Sequence, residues 1–169
     1  YLRDLVQLSR RTQVVLIFDE IKTGIGKTGR LFAYEHEDAV PDVLLLGKSL
    51  GGGAMPLGAV ISRRDLWGKF GLSFPMSASS AAGNAPACAA GLATLDVVEA
   101  ENLSANAASH GERILSFLHG LADEFPSVVK GASGRGLLLA LHLNNLRSAS
   151  AIVADCAERG VLVMTAFCD

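Results

Sequence analysis

The chain has 169 residues, of which half are hydrophobic, and a formal net charge of −2. This length allows one domain with a sizeable core, or a domain and part of another, whereas the charge argues against nucleic acid and acidic membranes as partners. No apolar run approaches a membrane span, and three widely spaced cysteines without a CxxC pair predict buried thiols in a reducing compartment rather than disulfides or a metal site.

The first part of the chain predicts one helix and three short strands. Leucines and a valine at helical spacing indicate a helix over residues 1–11. Apolar runs predict strands at Val14–Phe18, Val43–Leu46 and Leu57–Ile61, and the glycine-rich residues 21–40 predict a surface loop. These strands are continuously apolar, which is typical of an α/β protein whose sheet is covered on both faces.

Two helices are predicted in the middle of the chain. Asn84 is a suitable cap and Pro86 suits a first helical turn, so one helix begins there. A second helix is predicted from about Leu103 to Phe125, where Pro126 stops it.

The last forty or so residues predict a small βαβ unit. A glycine-rich turn at Gly131–Gly136 precedes the strand Leu137–Leu143, the helix Ser148–Arg159 and the strand Val161–Thr165. We therefore expect residues 1–126 to belong to a large domain and residues 127–169 to a small C-terminal one.

Two apolar strands each carry a charged residue at their end. Asp19 follows Val14–Phe18, and Lys48 follows Val43–Leu46 and precedes the glycines Gly51–Gly53. Because burying an unpaired charge is costly, such residues serve packing less often than chemistry. An amine that loses its proton can attack a carbonyl, so the pair predicts a site for a carbonyl-bearing cofactor.

Two motifs after Asp19 imitate nucleotide sites. Residues 24–29 match GxGxxG, but five residues separate the match from the strand and no amphipathic helix opens at its end. Residues 26–28 imitate the end of a P-loop, but Ile21 stands where that loop needs glycine, and the Walker B-like strand lies upstream. An NTPase is the main alternative from another functional class. The order of the P-loop-like and Walker B-like segments along the chain disfavours it.

The charged strand ends and glycine motifs fall in one order and spacing along the chain. The segments are Phe18–Gly24, Gly26–Gly29, Pro41-Asp42, Gly47-Lys48, Gly51–Gly53, Gly83-Asn84 and Ala87–Ala90. Together they resemble the class III (ornithine/omega-type) aminotransferases, which are fold-type I enzymes that use pyridoxal 5′-phosphate. The resemblance implies an α/β fragment without the N-terminal part and the extreme C-terminus, containing part of the large-domain sheet and the start of the small domain.

The resemblance also implies roles for individual residues. Lys48 would form the internal aldimine with the cofactor aldehyde and carry protons, and Asp19 would pair with the pyridine nitrogen. Lys22 replaces the family's usual glutamine near the phenolic oxygen. Ser80, with Ser79 as an adjacent candidate, stands where a threonine contacts the cofactor phosphate of a neighbouring subunit. A homodimer with shared active sites follows from this contact, and no metal is expected.

The implied activity is ping-pong transfer of an amino group between an amine or amino acid and a ketone or aldehyde, in the cytoplasm. A racemase, a decarboxylase or an aminomutase of the same fold would keep both Lys48 and Asp19, so these reactions stay open. A non-catalytic dimerisation or scaffold fragment is the alternative from a different class.

Overall fold

We analysed a computed structural model of the chain, which describes residues 1–69 and 79–166. One helix, three short strands and three helices form the first part, and a β-hairpin with a final helix forms the last part. In chain order the elements are α1 (Leu2–Thr12), β1 (Ile17–Asp19), β2 (Val43–Leu46), β3 (Ala59–Ser62), α2 (Arg64–Lys69), α3 (Ala85–Ala100), α4 (Leu103–Glu124), β4 (Val129–Arg135), β5 (Leu138–Leu143) and α5 (Leu146–Glu158). Within the described residues, no helix is both long and apolar enough to cross a membrane.

The first sheet has the order β1-β2-β3, with β2 parallel to β1 and antiparallel to β3. Strand β2 is the buried centre, whereas Ile17 of β1 is 55% exposed and Val60 of β3 is 56% exposed. Of the three strands in this sheet, only β2 is therefore covered on both faces as predicted. The sheet nevertheless fixes which strand ends lie side by side.

The core lies between this sheet and the two long helices. Leu44, Leu46 and Leu50 pack with Val98 of α3 and with Ile25 from the segment that follows β1. The prediction of a surface loop over residues 21–40 is wrong for this segment, because Ile25 is 8% exposed and belongs to the core. Its φ of 58° is unusual for a β-branched residue, so the burial of its side chain offsets a strained backbone.

The helix predictions from capping residues are confirmed. The Asn84 side chain accepts a hydrogen bond from the Ala87 backbone N–H at 3.1 Å, as an N-cap does. Helix α4 ends at Glu124, before Pro126. The prediction of buried cysteines is wrong for Cys88, which lies on an exposed face of α3.

The C-terminal region differs from its prediction in two ways. The glycine-rich segment predicted as a turn forms most of β4, which pairs antiparallel with β5 from Val129–Leu143 to Arg135–Leu138. Residues 161–166 pair with no strand among the residues described, so the predicted strand Val161–Thr165 is not formed there. An apolar run becomes a strand only where a neighbouring backbone accepts and donates its hydrogen bonds. The region is thus a hairpin followed by α5.

Candidate active site

The sheet brings Asp19 and Lys48 to the same edge. Asp19 ends β1 in register with Leu45 of the parallel strand β2, and Lys48 follows Leu45 by three residues. The Glu20 backbone N–H donates to the Leu45 carbonyl at 2.9 Å and continues the pairing past the end of β1. Both the Asp19 and the Lys48 side chains are exposed. A carboxylate and an amine are therefore both accessible at the carboxyl ends of neighbouring parallel strands.

Lys48 has an unusual backbone conformation. Its φ is 48°, in the left-handed region, and it begins a short 3-10 helix, Lys48–Gly51. A non-glycine residue there costs about 1–2 kcal/mol, and such residues cluster at functional sites where their surroundings hold them. Leu50 supplies that hold, because its N–H donates to the Gly47 carbonyl at 3.1 Å and its side chain is 6% exposed. The strained conformation of Lys48 is thus held by the hydrogen bond and the burial of Leu50.

The Asp19 carboxylate is oriented by its own backbone. Oδ1 accepts a hydrogen bond from the Ile21 N–H at 3.0 Å. Among the residues that the structure describes, Oδ2 accepts no hydrogen bond. One oxygen is therefore held by the turn, and the other is available to a hydrogen-bond donor.

Lys22 lies in the turn that follows β1, three residues after Asp19. The turn is closed by the Gly24 N–H, which donates to the Glu20 carbonyl at 3.0 Å. The Lys22 side chain is exposed, as that of Lys48 is. This part of the chain therefore offers two exposed amines near the carboxyl end of the sheet.

Ser79 and Ser80 lie in a turn just before α3. The Ala82 N–H donates to the Ser79 carbonyl at 3.0 Å, and both serine side chains are exposed. Among the described residues, no hydrogen bond joins either serine to Asp19 or Lys48. The structure thus brings three of the five predicted site residues, Asp19, Lys22 and Lys48, to one sheet edge, and among the described residues no hydrogen bond joins the two serines to them.

Glu20 is a residue of this region for which the sequence predicted no role. It is 4% exposed, and its two carboxylate oxygens accept hydrogen bonds from the Ala33 N–H at 2.7 Å and the Tyr34 N–H at 2.8 Å. The sequence does place Glu20 directly after an apolar strand. A carboxylate that is buried at such a position needs hydrogen-bond donors, because burial without them is costly. Its partners could not be read from sequence spacing.

Tyr34, whose backbone N–H donates to this carboxylate, packs its side chain against the hydrophobic core. Its ring stacks on Phe32, with centroids 5.7 Å apart and an interplanar angle of 8°. Burial raises the pKa of the Tyr34 phenol above its ordinary value, and the negative charges of Glu35 and Glu20 raise it further. The Tyr34 phenol therefore keeps its proton to a higher pH in the folded chain than in the unfolded one.

The glycines of the GxGxxG match have packing partners on α4 and beneath the loop. A Cβ on Gly26 would lie 3.0 Å from Ser104 Oγ, and one on Gly29 would lie 3.0 Å from Ala108 Cβ. A Cβ on Gly24 would lie 2.9 Å from the Glu20 carbonyl oxygen. Close approach of α4 thus explains Gly26 and Gly29, and the backbone of the turn after β1 explains Gly24.

Two cavities lie away from the Asp19–Lys48 edge. One of about 120 Å³ is lined by α1 and Asp42, and one of about 270 Å³ lies between α4 and β4 beside His36. Neither is lined by Asp19 or Lys48. Within residues 1–69 and 79–166, no group of three His, Cys, Asp or Glu side chains is arranged to hold a metal ion.

Comparison with known proteins identifies the family. The aminotransferase class-III family model matches residues 1–167. The acetylornithine aminotransferase of Elizabethkingia anophelis is 34% identical with a TM-score of 0.86, over 95% of this chain and 40% of that protein. The ornithine aminotransferase of Toxoplasma gondii ME49 is 37% identical with a TM-score of 0.84, over 92% of this chain and 37% of that protein.

An amine transaminase from an uncultivated Pseudomonas species, in a PLP-bound form, is 33% identical with a TM-score of 0.88, over 97% of this chain and 40% of that protein. The chain therefore spans only 37% to 40% of the length of these three structures. Their fold is the α/β fold of fold-type I aminotransferases, and the predicted fold class is confirmed. Because the family model matches residues 1–167, nearly the whole of this chain, the chain belongs to the class-III aminotransferase family.

Proposed function

We propose that the protein containing this chain transfers an amino group between an amine or amino acid and a ketone or aldehyde, with pyridoxal 5′-phosphate as cofactor. The observation that carries this proposal is the shared sheet edge of Asp19 and Lys48. An exposed carboxylate and an exposed amine follow neighbouring parallel strands there, and Lys48 is held at a φ of 48°. Membership of the class-III family supports the same reaction.

The residues at this edge fit the cofactor chemically. Pyridoxal phosphate, when bound, supplies an aldehyde that reacts with amines and a ring that accepts electrons from the substrate. The Lys48 amine is the nucleophile that such an aldehyde requires. Asp19 Oδ2, which accepts no hydrogen bond within the described residues, suits a protonated ring nitrogen.

Each side chain then has a defined task. Lys48 would hold the cofactor covalently through Nζ, and once a substrate amine has displaced it there, the freed amine would carry the proton that moves on the substrate. Asp19 would keep the ring nitrogen protonated through a charged hydrogen bond. Lys22 would donate a hydrogen bond from Nζ to the phenolic oxygen, in the place of the family's usual glutamine.

We further propose that the protein is a homodimer with shared active sites. Ser80, with Ser79 as the neighbouring candidate, contacts the cofactor phosphate of the other subunit. The exposure of both hydroxyl-bearing side chains ahead of α3 supports a contact outside their own chain. The odd number and wide spacing of the cysteines support a reducing, cytoplasmic location.

The large domain is proposed to include residues 1–126 and the small domain to begin at residue 127. The separation of the β1–β3 sheet from the β4–β5 hairpin supports this boundary. For the substrate, we propose a primary amine or amino acid. The solved relatives support this class, because they are named as acetylornithine, ornithine and amine transaminases.

The experiment is a donor and acceptor screen with the full-length protein. Pyridoxal phosphate is added, the visible absorbance is recorded, and each amine donor is tested for a keto or aldehyde product. We expect a visible band that amine donors shift and that Lys48→Ala removes. Absence of the band in the wild-type protein would contradict cofactor binding, and a band without product from any donor would contradict amino transfer.

A further inference from the structure

Glu20 is the one charged side chain that is buried in the described part of the chain, at 4% exposure. It directly follows Asp19. A buried carboxylate is costly unless hydrogen bonds or a counter-charge replace its water. No salt bridge of Glu20 is found within the residues described, so hydrogen bonds alone replace the water that its carboxylate loses on burial.

The hydrogen bonds of Glu20 join three segments. Its side chain accepts the N–H groups of Ala33 and Tyr34, at the far end of the segment that leaves β1. Its backbone N–H donates to Leu45 of β2 at 2.9 Å, and its carbonyl accepts from Gly24 at 3.0 Å. The residue after Asp19 is thereby fixed to the neighbouring strand, to the turn and to the end of the loop.

Ile21 extends this fixation to both ends of the Asp19–Lys48 edge. The Ile21 N–H donates to Asp19 Oδ1 at 3.0 Å, so the orientation of the carboxylate depends on the backbone between residues 19 and 21. The Ile21 side chain packs against Gly47, where an added Cβ would lie 3.4 Å from Ile21 Cγ2. Gly47 directly precedes Lys48.

We propose that Glu20 is a positioning residue, whose buried carboxylate holds Asp19 in the orientation that meets the cofactor ring nitrogen. Glu20 acts through the backbone of residues 19–21 and does not itself touch the cofactor. This inference rests on the proposed function of Asp19. Groups at an active site must be held within fractions of an ångström, and a second layer of hydrogen bonds provides that hold.

The chemistry requires a carboxylate of this length. Two N–H donors converge on two acceptor oxygens, and glutamine offers one oxygen and a second donor in the same space. In Glu20→Gln, one buried N–H of Ala33 or Tyr34 therefore loses its acceptor. Glu20→Asp keeps the charge, but its side chain is one methylene shorter and reaches fewer of the N–H groups.

The first test uses the cofactor-free, full-length protein and amide hydrogen exchange. In Glu20→Gln we expect faster exchange at whichever of Ala33 and Tyr34 loses its acceptor, and also at Ile21, by about tenfold, which is the factor for loss of one hydrogen bond. Glu35→Gln is the matched control, because it removes the same charge from the segment that Glu20 holds. Exchange at Ile21 that is unchanged in Glu20→Gln would overturn the proposal.

The second test uses the cofactor-loaded protein and the pH at which its visible absorbance titrates. We expect Glu20→Gln to move that pH in the same direction as Asp19→Asn, by a smaller amount, and Glu35→Gln to leave it unchanged. A role in stability alone would lower the melting temperature without moving this pH, and that result would overturn the proposal. If Glu20→Gln does not fold, Glu20→Asp is used, with a smaller shift expected.

The two proposals fail in different ways. If the wild-type protein shows no visible band with pyridoxal phosphate, the proposed function of the protein fails, and the hydrogen-exchange test at Ile21 still decides the role of Glu20. If the band is present and titrates identically in wild type and Glu20→Gln, Glu20 has no positioning role, and the proposed function stands.

Discussion

Asp19 and Lys48 lie at the same edge of one sheet, because Asp19 is in register with Leu45 and Lys48 follows Leu45 by three residues. Parallel pairing of β1 and β2 is what brings the two ends together, since antiparallel strands would place them at opposite edges. Binding sites of α/β sheets lie outside such carboxyl ends. The arrangement therefore joins a general feature of the fold to the two residues proposed for the chemistry.

Replacing Asp19 by asparagine tests the charged partner of the ring nitrogen. Asparagine keeps the shape and the oxygen that Ile21 binds, but it cannot carry negative charge. A charged hydrogen bond contributes about 1.5–3 kcal/mol, so we expect the rate of amino transfer to fall about 10- to 150-fold. The rate is measured in steady state with the full-length protein.

Asp38→Asn is the control for Asp19→Asn. Asp38 is an exposed carboxylate that pairs with Arg3 at 3.3 Å, and it takes no part in the proposed site. We expect wild-type rates for this variant. Equal rates for Asp19→Asn and wild type would contradict the role given to Asp19.

Local signals in the sequence located most of the elements near the site. Asn84 was identified as a cap and Lys48 as the residue after a strand, because both depend on neighbours a few positions away. Glu20 was missed, since the N–H groups that justify its burial lie 13 and 14 residues further along the chain. Contacts at that separation depend on the path of the loop, which composition does not specify.

The glycine-rich residues of β4 show how tertiary packing overrides a turn signal. A Cβ on Gly134 would lie 2.8 Å from Leu139 Cα of β5, so this glycine permits close strand pairing rather than a bend. A glycine-rich segment looks the same in sequence whether it forms a turn or a closely paired strand. The distinction comes from the partner strand, and it explains why the segment was predicted as a turn.

Two glycines of α4 give a matched test of the packing between α4 and the hairpin. A methyl group on Gly111 would overlap the backbone carbonyl of Gly136, whereas one on Gly120 would meet nothing within 4 Å. We expect Gly111→Ala to lower the free energy of unfolding by about 1–3 kcal/mol, which is typical of overpacking.

Gly120→Ala is expected to raise the free energy of unfolding by about 0.5–1 kcal/mol, because alanine loses less entropy than glycine in a helix. Urea unfolding of both variants gives the comparison. If Gly111→Ala were as stable as Gly120→Ala, the contact between α4 and Gly136 would not be as the structure has it.

Tyr34 predicts a loss of stability at alkaline pH. Its pKa is raised from 10.0 in the folded state, first by burial and then by Glu35 and Glu20, so above about pH 10 the unfolded chain releases this proton while the folded chain keeps it. The free energy of unfolding therefore falls as pH rises from 10 through the folded pKa. Tyr34→Phe removes this contribution and should make the fall shallower.

The free energy of unfolding is measured by urea titration at a series of pH values from 8 upward, chosen on the ordinary tyrosine pKa of about 10. Tyr1→Phe is the matched control, because it removes a phenol from a side chain that is 84% exposed. Identical alkaline profiles for Tyr34→Phe and wild type would show that Tyr34 is not buried as described.

The central claim is that Lys48, rather than the nearby exposed Lys22, bonds to the cofactor. It is tested by loading the full-length protein with pyridoxal phosphate, reducing the bond with borohydride and mapping the modified peptide by mass spectrometry, with Lys48→Ala and Lys22→Ala as matched variants. We predict modification of Lys48 in the wild type and in Lys22→Ala, and none at this site, with activity lost by about 100-fold or more, in Lys48→Ala. Modification of Lys22 in the wild-type protein, with Lys48 unmodified, would contradict the account.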